Sequence, residues 1–384
     1  MAQALALATS AIGNTEPNPR VGCVIGHSAG ASAGQVLGQG ATQAAGGAHA
    51  EAMALRDAHA QGAELRGATA WVSLEPCSHH GRTPPCADAL VQAGVSRVVV
   101  AVGDPFAQVA GRGIARLLAA GVEVAWADAD QAQAAWELNI GFFSRAVRGR
   151  PWVRLKMAAS LDGRTALNNG VSQWITSEAA RADGHHWRRR ASAILTGTGT
   201  VLADDPQLNV RGIATGQQPL RVVADTRLRT PVNARLLAPP GRALLLTACT
   251  DVERHAAYQH AGVEVAVLPA AAGGVELSAL FAHLNARAVN ELHVEAGAGL
   301  SGALIRGFWV DELLVYLAPR LLGPGRGLVA WPSLDTLEDT AGFRWLDTAA
   351  MGPDLRLRLL RNDDRFHLHT TLVSSGFTPP PTPE

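Results

Sequence analysis

Apolar and polar positions along the chain fall into blocks whose period switches between that of a helix and that of a strand. Residues 2–12, rich in Ala and Leu, read as a short helix closed by Gly13-Asn14. Pro17-Asn18-Pro19 turns the chain into a buried strand over 21–25, and a second strand follows over 36–42. The pattern then predicts a helix from His49 to about His59, a strand over 68–74 and a helix from Cys86 to Ala93. Strand 97–102, helix 113–120, strand 122–126 and one long helix over 131–147 complete the first block. Strands alternating with helices predict a layered α/β sandwich, which keeps its sites at the carboxyl ends of the strands.

Arg148-Gly149-Arg150-Pro151 is short, polar and broken by Gly and Pro, and reads as a domain junction. A second α/β alternation follows: strand 152–158, helix 178–190, strand 193–197 and a turn-rich stretch over 198–211. Further strands are predicted over 220–225, 243–247, 263–268, 291–295 and 312–318, with helices between them. Residues 356–360 and 366–372 read as a closing antiparallel pair. The predicted organisation is two α/β domains, 1–147 and 148–374, with a Pro-rich disordered tail over 375–384.

A length of 384 residues accommodates two such domains, and 47% apolar residues supply their cores. Basic and acidic residues balance to zero net charge, which disfavours a nucleic-acid partner. No apolar run reaches the length of a membrane span and the start lacks a basic region, so no membrane partner and a cytoplasmic location are expected. One count is sharper. Of 33 basic residues Lys156 is the only lysine, the rest being arginine. An ammonium can give up its proton where a guanidinium cannot, so Lys156 is a catalytic candidate on composition alone.

The densest chemistry runs from His49 to Cys86. His49-Ala50-Glu51 is followed by Glu75-Pro76-Cys77 and then Cys86, one imidazole and two thiols of the kind that hold a catalytic zinc. Glu51, two residues past His49, is placed to carry protons without ligating the metal. A His-x-Glu motif followed by Pro-Cys and a further Cys is the zinc nucleobase-deaminase pattern, although nine positions separate Cys77 from Cys86 here. Two other readings are a structural zinc site completed by His79 or His80, and a Cys77–Cys86 disulfide; the latter is disfavoured in a chain with four cysteines and no export signal. In the second half, Thr196-Gly197-Thr198-Gly199-Thr200 and the glycine-rich run from Glu295 to Gly302 each follow a strand and could face a phosphate.

Together these motifs resemble the bifunctional riboflavin-biosynthesis deaminase–reductases of bacteria, over nearly the whole chain short of the tail. The resemblance rests on Pro17-Asn18-Pro19-Arg20-Val21-Gly22, on His49-Ala50-Glu51, and on residues 75–86 with their long Cys77–Cys86 spacing. In the second half it rests on residues 156–166, 172–176, 201–211 and 295–303. It implies a cytidine-deaminase-like three-layer α/β/α domain followed by a dihydrofolate-reductase-like α/β domain.

The implied first reaction is hydrolytic deamination of 2,5-diamino-6-(5-phosphoribosylamino)pyrimidin-4-one, with zinc on His49, Cys77 and Cys86 and Glu51 handling protons. His79, His80 and Arg82 suit a phosphate or ring contact. The implied second reaction reduces the ribosyl side chain to ribityl with NADPH. For it the resemblance carries over Ala158, Trp174, Thr200, Asp204, Thr226, Gly297, Ala298, Gly299, Leu300, Ser301, Gly302 and Ala303 as cofactor contacts. Ser172, Arg188, Leu208, Arg211 and Glu295 carry over as substrate contacts, the arginines facing a phosphate, and Lys156 and Asp204 handle protons. The implied partners are a small phosphorylated pyrimidine and further copies of the chain in a homo-oligomer. Two positions depart from the family pattern: Ala296, where a second glycine is common, and Glu16, an acid near the presumed pyrimidine pocket. A rival reading is a reductase alone, its zinc module structural or inactive; Glu51 argues against it, because a structural site needs no such carboxylate.

Overall fold

Small residues on both faces of one short sheet decide how the amino-terminal half is layered. The computed structural model describes residues 1–30, 33–78, 85–106, 109–271 and 273–362, and its chain separates into a unit over Met1–Gly149 and a second beginning at Arg150. His79, His80 and Arg82, the strand expected over 366–372 and the tail over 375–384 lie outside the described residues.

In the first unit α1 (Ala2–Ser10) precedes the antiparallel pair β1 (Gly22–Gly26) and β2 (Val36–Ala41). After α2 (Ala50–Ala60), β3 (Thr69–Val72) joins the other side of β1, also antiparallel. Then α3 (Cys86–Gln92), β4 (Arg97–Val100), α4 (Arg112–Ala119) and β5 (Glu123–Trp126) extend the sheet with parallel strands, in the order β2-β1-β3-β4-β5. A Cβ on Gly22 would sit 1.9 Å from the Ala4 carbonyl of α1, and one on Gly38 would sit 2.3 Å from the Ala54 carbonyl of α2. Gly38 pairs with Ile25, three residues from Gly22, so strand alternation puts the two helices on opposite faces. The result is three layers, α/β/α.

The helix expected over 131–147 is two helices, α5 (Ala129–Leu138) and α6 (Ile140–Arg148). Asn139 breaks it: its buried amide accepts from the Arg20 N–H at 2.8 Å and donates to the Arg20 carbonyl at 2.9 Å, as a strand partner would. That pairing with distant backbone overrides helical continuity. Gly149, at φ 65°, ends α6.

The second unit opens with β6 (Trp152–Ser160) and β7 (Arg164–Leu167), followed by α7 (Glu178–Arg190), β8 (Ala193–Gly197) and α8 (Thr198–Asp204). Next come β9 (Leu220–Ala224), β10 (Ala243–Thr247), α9 (Val252–His260), β11 (Glu264–Val267) and the small hairpin of β12 (Ala270–Ala271) and β13 (Gly274–Val275). It closes with α10 (Leu277–Ala286), β14 (Glu291–Val294), α11 (Ala298–Arg306), β15 (Glu312–Ala318), β16 (Gly325–Gly327), β17 (Phe343–Met351) and β18 (Asp354–Arg361). Nine strands form one sheet in the order β11-β10-β9-β8-β14-β6-β15-β18-β17. The first seven are parallel, and β18 turns antiparallel to both β15 and β17.

Two expectations change here. The stretch read as turns over 198–211 begins with the helix α8, because Val201 buries against β9 and β10 and the Thr198 hydroxyl donates to the Ala224 carbonyl at 3.1 Å. The strand expected over 356–360 is longer, Asp354–Arg361, and lies between β15 and β17, joined to β17 by a tight turn with Gly352 at φ 63°. No helix among the described residues is long and apolar enough to cross a membrane.

The large sheet buries Val153, Leu155, Leu292 and Val294 under α10 and α11 on one face. On the other face Ala180 of α7 packs with Leu314 and Tyr316. That second face also holds charge. Arg154, 1% exposed near the start of β6, bonds Glu291 of β14 and Glu312 of β15, each at 2.8 Å. Arg190 donates to Glu291 and Arg358 to Glu312, both at 2.8 Å, while the Trp187 ring lies 4.5 Å from the Arg154 guanidinium. Burial pushes the Glu312 carboxyl up, but Arg154 and Arg358 outweigh it and hold it at about 2.

Replacing Arg154 by Met leaves two buried carboxylates short of a counter-charge, and urea denaturation is expected to show a loss of about 3–5 kcal/mol in the second unit. Acid acts on the same cluster. The stability from Glu312 is complete above the unfolded carboxyl value of about 4.3 and is lost as pH falls toward its folded value. An acid titration of Glu312→Gln should therefore show a shallower decline below about pH 4 than the wild type.

Candidate functional site

His49 occupies the N-cap of α2 with extended backbone (φ −74°, ψ 165°), so its side chain leaves the helix end while Glu51 sits in the first turn. Cys77 lies beyond the carboxyl end of β3, and Cys86 is the first residue of α3. The fold brings all three together. His49 Nδ1 lies 3.6 Å from Cys77 Sγ and 3.4 Å from Cys86 Sγ, and the three ligand atoms fall within 4.8 Å of one another. The Cys86 N–H donates to Cys77 Sγ at 3.4 Å, the contribution expected from a helix start beside a thiolate. The Cys86 thiol, then His49 and the Cys86 amide, hold Cys77 down at about 4.

Glu51 is 3% exposed. Burial, reinforced by the charge of Cys77, pushes its carboxyl up to about 7. A carboxyl balanced between its two forms near neutrality can both take and return a proton. One imidazole and two thiols are a donor set suited to zinc.

Glu75, 4% exposed, fixes the loop that carries Cys77. One oxygen accepts from the amides of Gly113 (3.0 Å) and Ile114 (3.3 Å), the other from those of Gly111 (3.0 Å) and Asp104 (3.2 Å). Gly113 is required for this approach, since a Cβ there would lie 1.9 Å from the Pro76 carbonyl. Asp104 escaped the sequence reading; burial raises its carboxyl to about 7, with Glu75 and Cys77 adding to the effect. The available signal was an acid just past the carboxyl end of a predicted strand. Glu16, expected to put an acid near the pyrimidine pocket, is paired with Arg20 at 2.8 Å.

In the second unit Lys156 of β6 is partly buried on the α7 face, its Nζ 4.0 Å from Glu295 Oε2 and 5.7 Å from the centre of the Tyr316 ring. Burial lowers the Lys156 ammonium and Glu295 opposes that. Arg188 of α7 grips Glu295 through Nε (2.5 Å) and Nη2 (2.9 Å) and donates Nη1 to the Asn209 carbonyl at 3.1 Å. His293, fully buried, stands 3.3 Å from the same carboxylate. The fork of Arg188, expected to face a phosphate, is thus taken up by Glu295. Arg211 keeps the exposed guanidinium, steadied by Asn209 Oδ1 at 2.5 Å. Its own N–H donates to His185 Nδ1 at 3.2 Å, and burial with the nearby Arg188 and Arg211 holds His185 down at about 4, leaving it a neutral acceptor.

Leu208 is buried at φ 47°, a left-handed conformation that turns the chain between α8 and Asn209. Asp204 ends α8 exposed, and among the described residues the carboxylate paired with Lys156 is that of Glu295. Ser172 is half-buried in the loop before α7; Trp174 there is exposed, with Arg181 4.5 Å from its ring. Ala158 stands opposite Tyr316 in the β6–β15 register.

Thr200 of α8 accepts from the Gly297 N–H at 3.0 Å, tying α8 to the glycine run. Gly297 is the N-cap of α11 and no side chain caps that helix, so its first-turn amides are left for an outside acceptor. Gly297 and Gly299 are exposed. Ser301 and Gly302, also expected among the cofactor contacts, are buried. Ser301 donates to the Ala296 carbonyl at 3.3 Å, and a Cβ on Gly302 would lie 2.2 Å from the Ala330 carbonyl. Ala296 packs against the main core.

The site geometry predicts a measurable dependence on Glu75. Glu75→Leu strands the four amides it accepts from, and the first unit is expected to lose about 2–5 kcal/mol in chemical denaturation.

Comparison with known proteins agrees with this arrangement in both units. A family model of the RibD C-terminal domain matches residues 151–356, and one of the cytidine and deoxycytidylate deaminase zinc-binding region matches residues 1–102. Riboflavin biosynthesis protein RibD of Escherichia coli (strain K12) is 44% identical, with 94% of this chain and 98% of the relative covered. The protein of the same name from Haemophilus influenzae is 40% identical, covering 93% and 95%. Among solved structures, Acinetobacter baumannii RibD (form 1) has a TM-score of 0.84 at 40% identity, over 94% of this chain and 98% of its own. A diaminohydroxyphosphoribosylaminopyrimidine deaminase/5-amino-6-(5-phosphoribosylamino)uracil reductase from Thermotoga maritima also scores 0.84, at 29% identity, over 94% and 97%.

Proposed function

Because the chain belongs to the RibD family, the bifunctional deaminase–reductases of riboflavin biosynthesis, we propose that His49, Cys77 and Cys86 hold its zinc and that the second unit draws on NADPH. The observation that carries the first half is the convergence of three ligand atoms beside the buried carboxylate of Glu51. When bound, zinc supplies the Lewis acidity that makes water a nucleophile near neutral pH. Glu51 takes the proton of that water as its oxygen adds to the ring carbon bearing the exocyclic amine. The carboxyl would then give that proton to the ring nitrogen, take the proton left on the added hydroxyl and pass it to the departing amine, so that the C–N bond breaks, the ring carbonyl forms and ammonia leaves. Glu75 keeps Cys77 in register with His49 throughout, and Asp104 offers a second acid beside the site.

In the second unit NADPH, when bound, supplies the hydride that reduces C1′ of the opened ribosyl chain to ribityl. Lys156 is the proton donor at the sugar oxygen, positioned by Glu295, which Arg188 holds in turn and beside which His293 stands. Asp204, exposed at the end of α8, is the second group assigned to proton handling. Thr200, Thr226 and the open start of α11 at Gly297, Ala298 and Gly299 would hold the cofactor, with Ala158 and Trp174 as further contacts. Arg211 takes the substrate phosphate, and Ser172 and Leu208 shape the same pocket.

The test follows ammonia release from the phosphoribosylamino diaminopyrimidinone without NADPH, then NADPH oxidation once it is added. Glu51→Gln should keep its zinc by elemental analysis yet release ammonia about 100- to 10,000-fold more slowly. Its NADPH oxidation on ready-deaminated substrate should match the wild type. Undiminished ammonia release from Glu51→Gln would remove Glu51 from the chemistry.

A further inference from the structure

A cavity of about 500 Å³ opens where β8 and β9 end. Its walls include Thr198 and Gly199 of α8, Asp225 and Thr226 just past β9, and Gly274 of the β12–β13 hairpin. Arg227 and Arg229 complete the lining, and both are exposed. Among the described residues neither guanidinium has a hydrogen-bond or ion-pair partner, whereas Arg154 and Arg358 of the central sheet are locked to carboxylates.

The turn that carries the two arginines is held by its backbone rather than by their side chains. Leu228, between them, is 1% exposed and sits at φ 52°, so its neighbours are presented outward on either side of a buried anchor. The Leu228 N–H donates to the Asp225 carbonyl at 3.0 Å. Arg254 donates to the carbonyls of Arg227 (3.1 Å) and Leu228. Asp225, the one acid in the lining, is buried and accepts from the Thr230 N–H at 2.6 Å. The charge that the cavity shows to solvent is therefore positive, from two forked donors on a fixed turn.

We infer that Arg227 and Arg229 bind the 2′-phosphate of the dinucleotide, and so select NADPH over NADH. The inference rests on the reading that this unit binds a nicotinamide dinucleotide. The cavity begins at the same first turn of α8 whose Thr200 meets the Gly297 run, so a dinucleotide lying along that run brings its adenosine end within reach. Where an α/β site prefers NADH, an acid at the end of the second strand faces the ribose hydroxyls; a nearby arginine accommodates the 2′-phosphate instead. Here the acid at that place, Asp225, is turned into the fold and arginine occupies the two exposed positions after it. A guanidinium fork matches a phosphate dianion in both charge and shape.

Calorimetric titration of the full chain with NADP⁺, NAD⁺ and adenosine 2′-phosphate tests this. Relative to wild type, the double variant Arg227→Ala/Arg229→Ala is expected to bind NADP⁺ and adenosine 2′-phosphate about 100-fold more weakly. Its NAD⁺ affinity, the control for an intact site, should stay within about twofold of wild type. Unchanged NADP⁺ affinity in the variant, or equal losses for NADP⁺ and NAD⁺, overturns the assignment while leaving the dinucleotide reading standing. A wild type that binds neither dinucleotide overturns both.

Discussion

A guanidinium buried at the centre of a sheet has to be neutralised where it stands, and Arg154 meets that demand through the two strands beside it. Glu291 on β14 and Glu312 on β15 reach it only in the observed register, because a slip of one residue would turn the charges to the opposite face. Lys156 follows two residues later on β6 and Glu295 four residues after Glu291, so both inherit the face that the ion cluster fixes. The same face carries Tyr316 and is covered by α7, which brings Arg190 to the cluster and Arg188 to Glu295. Structural charge and reactive charge are therefore one continuous layer, and the cost of desolvating the first organises the second.

The first unit meets its own constraint with a different device. Its ligands come from a helix N-cap, a loop beyond a strand and a helix start, none of which is rigid alone. Glu75 supplies the rigidity by gathering amides from the loop before α4 and from its first turn, which binds the Pro76–Cys77 segment to a neighbouring element. Four N–H donors on one buried carboxylate satisfy it without a cation. Glu51 has no such set of amides among the described residues, and burial together with the charge of Cys77 raises its carboxyl to about 7. Two buried glutamates in one unit thus serve opposite purposes through their surroundings.

Much of this was legible in the residues themselves. His49, Glu51, Cys77 and Cys86 announce their chemistry because few side-chain sets can bind such a metal, and the spacing survives whatever the loop between them does. Lys156 was visible as the single lysine in an arginine-rich chain. Most strands and helices of both halves followed from apolar periodicity, whereas β7, β16, β17 and the β12–β13 hairpin did not. The failures share a cause. Asn139 interrupts a helix to pair with Arg20, 119 residues away, and α8 forms in a stretch of turn-like residues because Val201 finds a core to enter. Local pattern carries no trace of a distant partner.

The sequence by itself determined most of the elements, the order of two α/β halves and the set of candidate site side chains, because periodicity and ligand chemistry are local properties. Only the tertiary structure decided what each polar group faces. Arg188 had the chemistry of a phosphate ligand and is held by Glu295; Ser301 and Gly302 sat in a glycine-rich run and are buried. Arg227 and Arg229 drew no notice among 32 arginines, and stand out once the fold leaves them unpaired around a cavity. Whether a charge is structural or available depends on the nearest opposite charge in space, and that neighbour is chosen by strand register and helix packing rather than by the adjoining residues.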